Sequence, residues 1–441
     1  MTVREDARSL LEEAFRKAIE AVSPREALKR HLFRKGGKIF LSSGKGDLLD
    51  LTPAPGGKFT IISTGKAAPA LYSAALSLVG PPDEGLVVAP GGPAEHFPGA
   101  RFLPGSHPLP TEKSVRAGEE AMRLVSSLRE GDSLLYLLSG GSSAMVVAPV
   151  EGIPLEEKVL VQKELMKRGA SISELNAVRK ALSRIKGGGL ARFLRTRRAA
   201  VCLISDVPGD DLSVVGSGPL HPPSSDPPPL KVAEKYSLLT LLSPATREIL
   251  RSFSPVRREA FYPPHVVVAD NGVAVEAALN FLKGKGLETL RIPGFITGEA
   301  REVACDLAER VRIRLRAGGE KPFALVGGGE TTVTVRGKGV GGRNQELALS
   351  LSILLEGEEN VAGLCAGTDG RDGETDAAGA FFDGYLAKSA RSRGLDPADF
   401  LERNDSHSFM REMGALFVTG PTETNVMDLV IIVGGISGGR R

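Results

Sequence analysis

The chain has 441 residues, of which 41% are hydrophobic and 25% charged, with 56 basic residues against 53 acidic ones and a net charge of +3. That length favours two domains over one core, and near-balanced charge without a basic block gives no case for a nucleic-acid or membrane-surface partner. The first 25 residues are charged throughout and no apolar run reaches the roughly 18 residues of a transmembrane helix, so a cytoplasmic protein is expected.

The first periodic stretch, residues 5–22, reads as an amphipathic helix with Leu10, Leu11, Phe15, Ile19 and Val22 on one face. Ser23-Pro24 then caps and restarts a helix. Apolar strand-like runs follow at 59–63, 85–89, 133–138 and 199–204, alternating with helical runs at 67–79, 112–128, 155–168 and 172–185. Residues 219–230 carry too many prolines for either element and read as a rigid loop. The alternation then resumes: strands at 265–269, 288–292, 322–326, 331–335, 361–365, 416–419 and 428–433, with helices at 272–283, 299–316, 344–355 and between 383 and 413. Such alternation predicts an α/β fold of two α/β/α domains built on mostly parallel sheets. The expected division is 1–245 and 246–441, with the last strand free to return to either sheet. Cys202, Cys305 and Cys365 are far apart and lack metal or disulfide spacing, so all three are expected reduced and buried. The absence of Trp, with seven Asn and two Gln, resembles thermophilic usage.

In an open α/β sheet, ligands lie beyond the carboxyl ends of the strands. Several loops there hold small, hydroxyl or charged residues. After 59–63 comes Thr64-Gly65-Lys66, which puts a cation at a helix start, a sensible placement once an anion joins it. After 133–138 comes Ser139-Gly140-Gly141-Ser142-Ser143, a candidate oxyanion or phosphate cradle. Asn176, Arg179, Lys180 and Ser183 share one helical face and could hold a carboxylate or phosphate. After 199–204 comes Ser205-Asp206, placed to bind a metal or accept a proton. A tight turn or a solvated face accounts for each of these features taken alone. Asp369, Asp372 and Asp376 lack the alternating spacing of a calcium loop, and a magnesium–nucleotide contact through Asp369 is the better reading. His107, in Gly105-Ser106-His107-Pro108, also follows a short strand. No nucleophile elbow is present.

Residues 325–346 are the glycine-richest stretch. Gly337-Lys338-Gly339-Val340-Gly341-Gly342 fits the dinucleotide pattern G-x-G-x-x-G between a strand and a helix, which keeps a nicotinamide oxidoreductase as a competing reading. Against it, Arg343, Asn344 and Gln345 are polar where that helix should pack closely on its sheet. Walker A and protein-kinase motifs are absent.

The ordered set G-K-A-A (65–68), S-G-G-S-S-A (139–144), L-N-x-V-R-K-x-L-S-x-I-K-G-G (175–188), S-D-V-P-G-D (205–210), G-G-G-E-T-T-V-T-V (327–335), G-G-R-N-Q-E (341–346), A-G-T-D-G-x-D-G-x-T-D-A-A-G-A (366–380) and T-G-P-T-x-T-N-V-M-D-L (419–429) resembles the glycerate 2-kinase family, with its closing MOFRL domain. Where the family carries glycine in the last motif, this chain has Glu423. The resemblance implies two Rossmann-like domains, an active site in the cleft between them, and ATP- and magnesium-dependent phosphorylation of the 2-hydroxyl of D-glycerate. It implies Lys66, Asp206 and Arg343 as the catalytic set, with Asp206 as base, orienting group or magnesium ligand. Ser139, Gly140, Gly141, Ser142, Ser143, Asn176 and Arg179 are the candidates for the glycerate carboxylate and nearby phosphate, and Gly327, Gly328, Gly329, Glu330 and Asp369 for the nucleotide. A nicotinamide-dependent hydroxypyruvate reductase is the alternative, since members have carried that label. The oligomeric state is left open, a homodimer among the options.

Overall fold

The structure, a computed structural model, describes residues 3–44, 46–92, 96–254, 260–318 and 321–435. It divides into two units. One is Pro24–Val268; the other joins the helix Val3–Val22 to the chain from Ala269 onward. The division expected at 245/246 thus lies at 268/269, and the first helix belongs with the C-terminal half. Its apolar face explains why. Leu11, Phe15, Ala18 and Val22 are buried, and the Phe15 ring meets Phe417 edge-on at 5.1 Å. Thr424 Oγ1 donates to the Val22 carbonyl at 2.8 Å, and Arg8 donates to the Gly414 carbonyl at 3.0 Å.

The unit Pro24–Val268 opens with a small antiparallel sheet whose strands, three to five residues long, were not foreseen: β1 (Leu32–Lys35), β2 (Lys38–Ser42) and β3 (Leu48–Asp50). Its main sheet contains β4 (Phe59–Thr64), β5 (Glu84–Ala89), β6 (Arg101–Pro104), β7 (Ser133–Leu138), β8 (Arg198–Ile204) and β9 (His265–Ala269). The order is β6-β5-β4-β7-β8-β9, and every pairing from β6 to β8 is parallel. Numbered within the sheet this is 3-2-1-4-5-6, the doubly wound order. β4 and β7 are buried along their whole length, as expected for parallel strands covered on both faces. Strand order reverses between β4 and β7, so the crevice opens beyond Thr64 and Leu138.

The other unit carries β10 (Glu288–Arg291), β11 (Ile296–Glu299), β12 (Phe323–Thr332), β13 (Val361–Gly367), β14 (Gly379–Asp383), β15 (Leu416–Phe417) and β16 (Asp428–Gly434). The sheet runs β10-β12-β16-β13-β14-β15, with β11 also paired to β12. Only β10 and β11 run parallel to β12; the pairings through β16, β14 and β15 are antiparallel. This sheet is therefore mixed where a mostly parallel one was expected. The last strand returns into the middle of the sheet, between β12 and β13 and antiparallel to both. The runs 322–326 and 331–335, expected as two strands, are largely one: β12 passes straight through Gly327–Gly329.

Cys202 and Cys365 are buried within strands as expected, but Cys305 is exposed on the outer face of the helix Ala300–Arg316. Among the described residues no helix is long and apolar enough to cross a membrane.

Glu423 adopts φ +62°, the left-handed region in which a side chain collides with its own carbonyl. This is the position where the related motif carries glycine, and the backbone has kept the glycine conformation. Glu423→Gly is expected to raise stability by about 1 kcal/mol, the left-handed penalty less the entropy glycine adds to the unfolded chain. An unchanged or lower denaturation midpoint would contradict it.

Candidate active site

Beyond β4 and β7 two loops are stitched to each other. The Lys66 N–H donates to the Gly140 carbonyl at 2.9 Å, and the Ala67 N–H donates to Ser139 Oγ at 3.1 Å. Ser142 Oγ and Thr64 Oγ1 share a hydrogen bond of 2.8 Å. The hydroxyls of Ser139 and Ser142, expected as ligand contacts, are thus buried braces holding the switch-point loops in register. The two glycines between them make room. A Cβ on Gly140 would lie 2.0 Å from Asp206 Oδ2, so the half-buried carboxylate after β8 rests directly on this loop. A Cβ on Gly141, whose φ is +84°, would come within 3.3 Å of Lys66 and 3.1 Å of His107. Lys66, Asp206 and His107 therefore surround one dipeptide, as the order of strands in the sheet requires.

Behind them lies a group of cations that the sequence reading saw only in part. Lys158 is buried and donates to the carbonyls of Arg179, at 3.3 Å, and Leu182, at 3.0 Å. Lys186 is buried and donates to Ser143 Oγ at 2.7 Å and to its carbonyl at 2.5 Å. Burial pushes Lys158 down to about 7, with Arg179 adding repulsion, and pushes Arg179 down to about 10. Burial, then Lys158, Arg179 and Lys180, hold Lys186 well below the usual lysine range. His107 is lowered by burial, with Lys66 and Arg179 adding to it, which places those two cations on its side of the crevice. Of the helical face expected at Asn176, Arg179, Lys180 and Ser183, Lys180 turns away into an ion pair with Asp226 at 2.8 Å, and Ser183 lies past the end of the helix Ile172–Ala181. Lys158 lies on another helix, Leu155–Lys167, and Lys186, though three residues after Ser183, lies beyond the end of the helix at Ala181, so helical spacing could not place them.

In the other unit Arg343 opens the helix Arg343–Leu354. Its Nε and Nη2 donate to the two oxygens of Asp428 at 2.5 and 2.9 Å, and its Nη1 pairs with Glu330 at 2.8 Å. Burial opposes the charge, but the Asp428 fork, with Glu330 and Asp372 nearby, raises Arg343 above its usual value. Asp428 faces Gly329 and Gly367 on its two neighbouring strands. A Cβ on Gly367 would sit 3.4 Å from Asp428 Oδ1 and 3.3 Å from Asp369 Oδ1.

The N-terminus of this helix does not wait for a phosphate. The buried carboxylate of Asp372 accepts the N–H groups of Asn344 and Gln345, at 3.0 and 2.8 Å, and the Gln345 side-chain amide at 2.9 Å. The glycines before the helix serve close packing: a Cβ on Gly337 would lie 2.0 Å from the Arg403 carbonyl, on Gly341 2.2 Å from Ser406 Oγ, and on Gly342 2.2 Å from the Asp372 carboxyl carbon. Likewise the close approach that Gly327, Gly328 and Gly329 permit is to Ile292, Asn271 and Ile296. Asn344, Gln345 and Glu346 are polar because they join this network; Glu346 pairs with Arg301 at 2.9 Å.

Among the described residues no cluster of three or more His, Cys, Asp or Glu could hold a metal ion.

Two family models match the chain: a domain of unknown function, DUF4147, over residues 10–251, and the MOFRL family over 323–428. A D-glycerate 2-kinase of Thermotoga maritima is 38% identical over 97% of this chain and 98% of its own length. The chain belongs to the glycerate 2-kinase family. A glycerate 2-kinase of Pyrococcus horikoshii is 33% identical over 98% of both chains. The crystal structure of a glycerate kinase from T. maritima superimposes with a TM-score of 0.83 at 36% identity, covering 98% of this chain and 100% of that one. A relative from Agrobacterium vitis, 36% identical over 86% of this chain, carries a provisional hydroxypyruvate reductase name. Within the glycerate 2-kinase family, the loops after β4, β7 and β8 and the Arg343 helix are the segments this structure marks as chemically equipped.

Asp372 supplies a pH test of the second unit. Burial pushes its carboxyl up to about 6 from 3.8, against the N–H donors of Asn344 and Gln345. The folded chain then holds a proton that the unfolded chain has released between those values. Stability is expected to fall as pH rises from about 4 to 6, by up to about 3 kcal/mol. Denaturant midpoints across that window should lose this slope in Asp372→Asn; an identical slope in the variant would assign it elsewhere.

Proposed function

We propose that the chain transfers the γ-phosphoryl group of ATP to the 2-hydroxyl of D-glycerate, giving 2-phospho-D-glycerate and ADP. The observation that carries this reading is the crevice at the end of β4 and β7, where the buried ammonium groups of Lys158 and Lys186 are met by carbonyl and hydroxyl oxygens and the carboxylate of Asp206 rests on the Gly140 loop. Phosphoryl transfer asks for charge neutralisation and a positioned hydroxyl more than for covalent chemistry. Lys66 neutralises charge on the phosphoryl oxygens. Asp206 orients the hydroxyl and takes its proton, or holds a magnesium ion borne by the nucleotide, which when bound supplies further neutralisation. Asn176 and Arg179 bind the glycerate carboxylate. On the other unit, Asp428 keeps the Arg343 guanidinium oriented while a phosphate oxygen replaces Glu330 at Nη1, and Asp369 serves the nucleotide. Glu330 then acts by yielding its place to the nucleotide. The reaction is assigned to the cytoplasm.

The reductase reading has one specific observation against it. In a dinucleotide site the pyrophosphate sits on the helix N-terminus after the glycines; here the carboxylate of Asp372 holds those N–H groups.

The deciding experiment is product analysis after incubation with D-glycerate, ATP and magnesium. ADP release with the 2-phosphate is expected; no turnover, or the 3-phosphate alone, refutes the assignment, and nicotinamide oxidation by hydroxypyruvate at a comparable rate favours the reductase. Arg343→Lys keeps the charge but loses the fork, and kcat should fall by about 10²-fold or more; unchanged turnover would remove Arg343 from the catalytic set. Gly140→Ala puts a methyl group into the Asp206 carboxylate, and a displacement near 1 Å there should cost roughly 10²-fold in kcat. Full activity in that variant would show that Asp206 need not stand on this loop.

A further inference from the structure

Lys186, Ser143 and Ser217 form a continuous line to Asn176, and no role above uses Lys186 or Ser217. Lys186 Nζ donates to Ser143 Oγ at 2.7 Å, Ser143 Oγ and Ser217 Oγ are 2.8 Å apart, and Ser217 Oγ lies 3.3 Å from Asn176 Oδ1. All but Ser143 are at most 3% exposed.

With Lys186 protonated, one proton order runs the whole line: an ammonium has three donors and no acceptor, and a hydroxyl has one proton and two lone pairs. Ser143 Oγ accepts from Lys186 and has its own proton for Ser217, 2.8 Å away. Ser217 in turn donates to Asn176 Oδ1. The amide is thereby fixed with its oxygen on Ser217 and its NH2 directed away. That NH2 is buried and has no partner among the described residues, and neither has Arg179 Nε, one helical turn on. Buried donors without acceptors cost roughly 1–3 kcal/mol each, so a pair of them on one helical face marks a place for an anion with two oxygens.

The backbone is shaped to keep the line. Gly187 and Gly188 donate to the carbonyls of Ser217 and Gly218, at 2.9 and 2.8 Å. Ser217 holds φ +60° between two glycines at +58° and +55°. A non-glycine residue held there is strained, and such strain persists where surrounding structure over-determines it.

We propose that Lys186 is a positioning residue whose ammonium sets a one-way hydrogen-bond relay through Ser143 and Ser217, presenting the Asn176 amide NH2, beside Arg179, to the substrate carboxylate. Lys186 itself does not touch substrate. The proposal rests on the kinase reading for the identity of the acid, and the relay's direction rests on Lys186 being protonated and on Ser217 donating to Asn176 Oδ1.

Lys186→Met keeps length and removes the donor. Its KM for D-glycerate should rise at least tenfold, its KM for ATP should stay within about twofold, and kcat at saturating glycerate within about threefold. A KM for glycerate that does not move, or that moves together with the KM for ATP, overturns the relay. Asn176→Asp keeps the shape but turns the last donor into an acceptor. The Kd of D-glycerate should rise 100-fold or more while the Kd of ATP stays within about twofold; equal losses for both ligands overturn the carboxylate assignment. Should Lys186→Met not fold, Ser217→Ala cuts the same line, with the same pattern expected and the same pattern of failure. Calorimetric titration of the full chain with D-glycerate alone separates the two claims. Binding without product refutes the kinase reading and leaves the relay to be judged on the wild-type to variant Kd ratio; no binding overturns the carboxylate assignment.

Discussion

A buried cation without a counter-charge is among the costliest arrangements a protein can hold, several kcal/mol for each ion. The unit Pro24–Val268 holds two side by side, Lys158 and Lys186, and answers them with carbonyl and hydroxyl oxygens instead of carboxylates. Much of the local architecture follows from that constraint. The doubly wound order brings the carboxyl ends of β4 and β7 together. Buried serines brace the loops, and the glycines after Lys186 tie that segment to the carbonyls of Ser217 and Gly218. The expense is tolerable only if an anion shares it, which ties the stability of this region to occupancy by ligand.

The C-terminal unit handles charge in the opposite way. Arg343 has Asp428 and Glu330, the first turn of its helix has Asp372, and Glu346 has Arg301. Its electrostatics are closed before any ligand arrives. Only the Glu330 partner is solvent-accessible enough to be exchanged at small cost, whereas Asp428, 6% exposed, is a fixed part of the sheet.

The α/β alternation was legible because parallel strands buried on both faces must be apolar runs, and β4, β7, β8, β9 and β13 were found within a residue or two of their ends. Strands such as β1, β3 and β11 carry too few apolar residues to announce themselves. The domain boundary failed for a different reason: nothing local in residues 5–22 says which distant surface their apolar face will cover. The loops at 64–66, 139–143 and 205–206 were found because small and charged residues after buried strands have few structural uses. What sequence could not separate was which of them are braces and which are instruments. Ser139 and Ser143 look alike in the chain; one hydroxyl closes a loop and the other receives an ammonium. Nor could it tell that the glycines at 337–342 make room for Arg403, Asp405 and Asp372, since packing against backbone and packing against phosphate demand the same missing Cβ.

The pairing of the first helix with the last strands has a bearing on synthesis. Leu11, Phe15 and Val22 emerge first, yet the surfaces that cover them begin at the helix Asn271–Gly284 and end near Phe417 and Thr424. At translation rates of about 5–20 residues per second, that apolar stripe stays uncovered for on the order of ten seconds or more while the intervening unit is made and folds. The apolar stripe of residues 5–22 therefore stays without its covering surface through most of the synthesis of the chain that follows it.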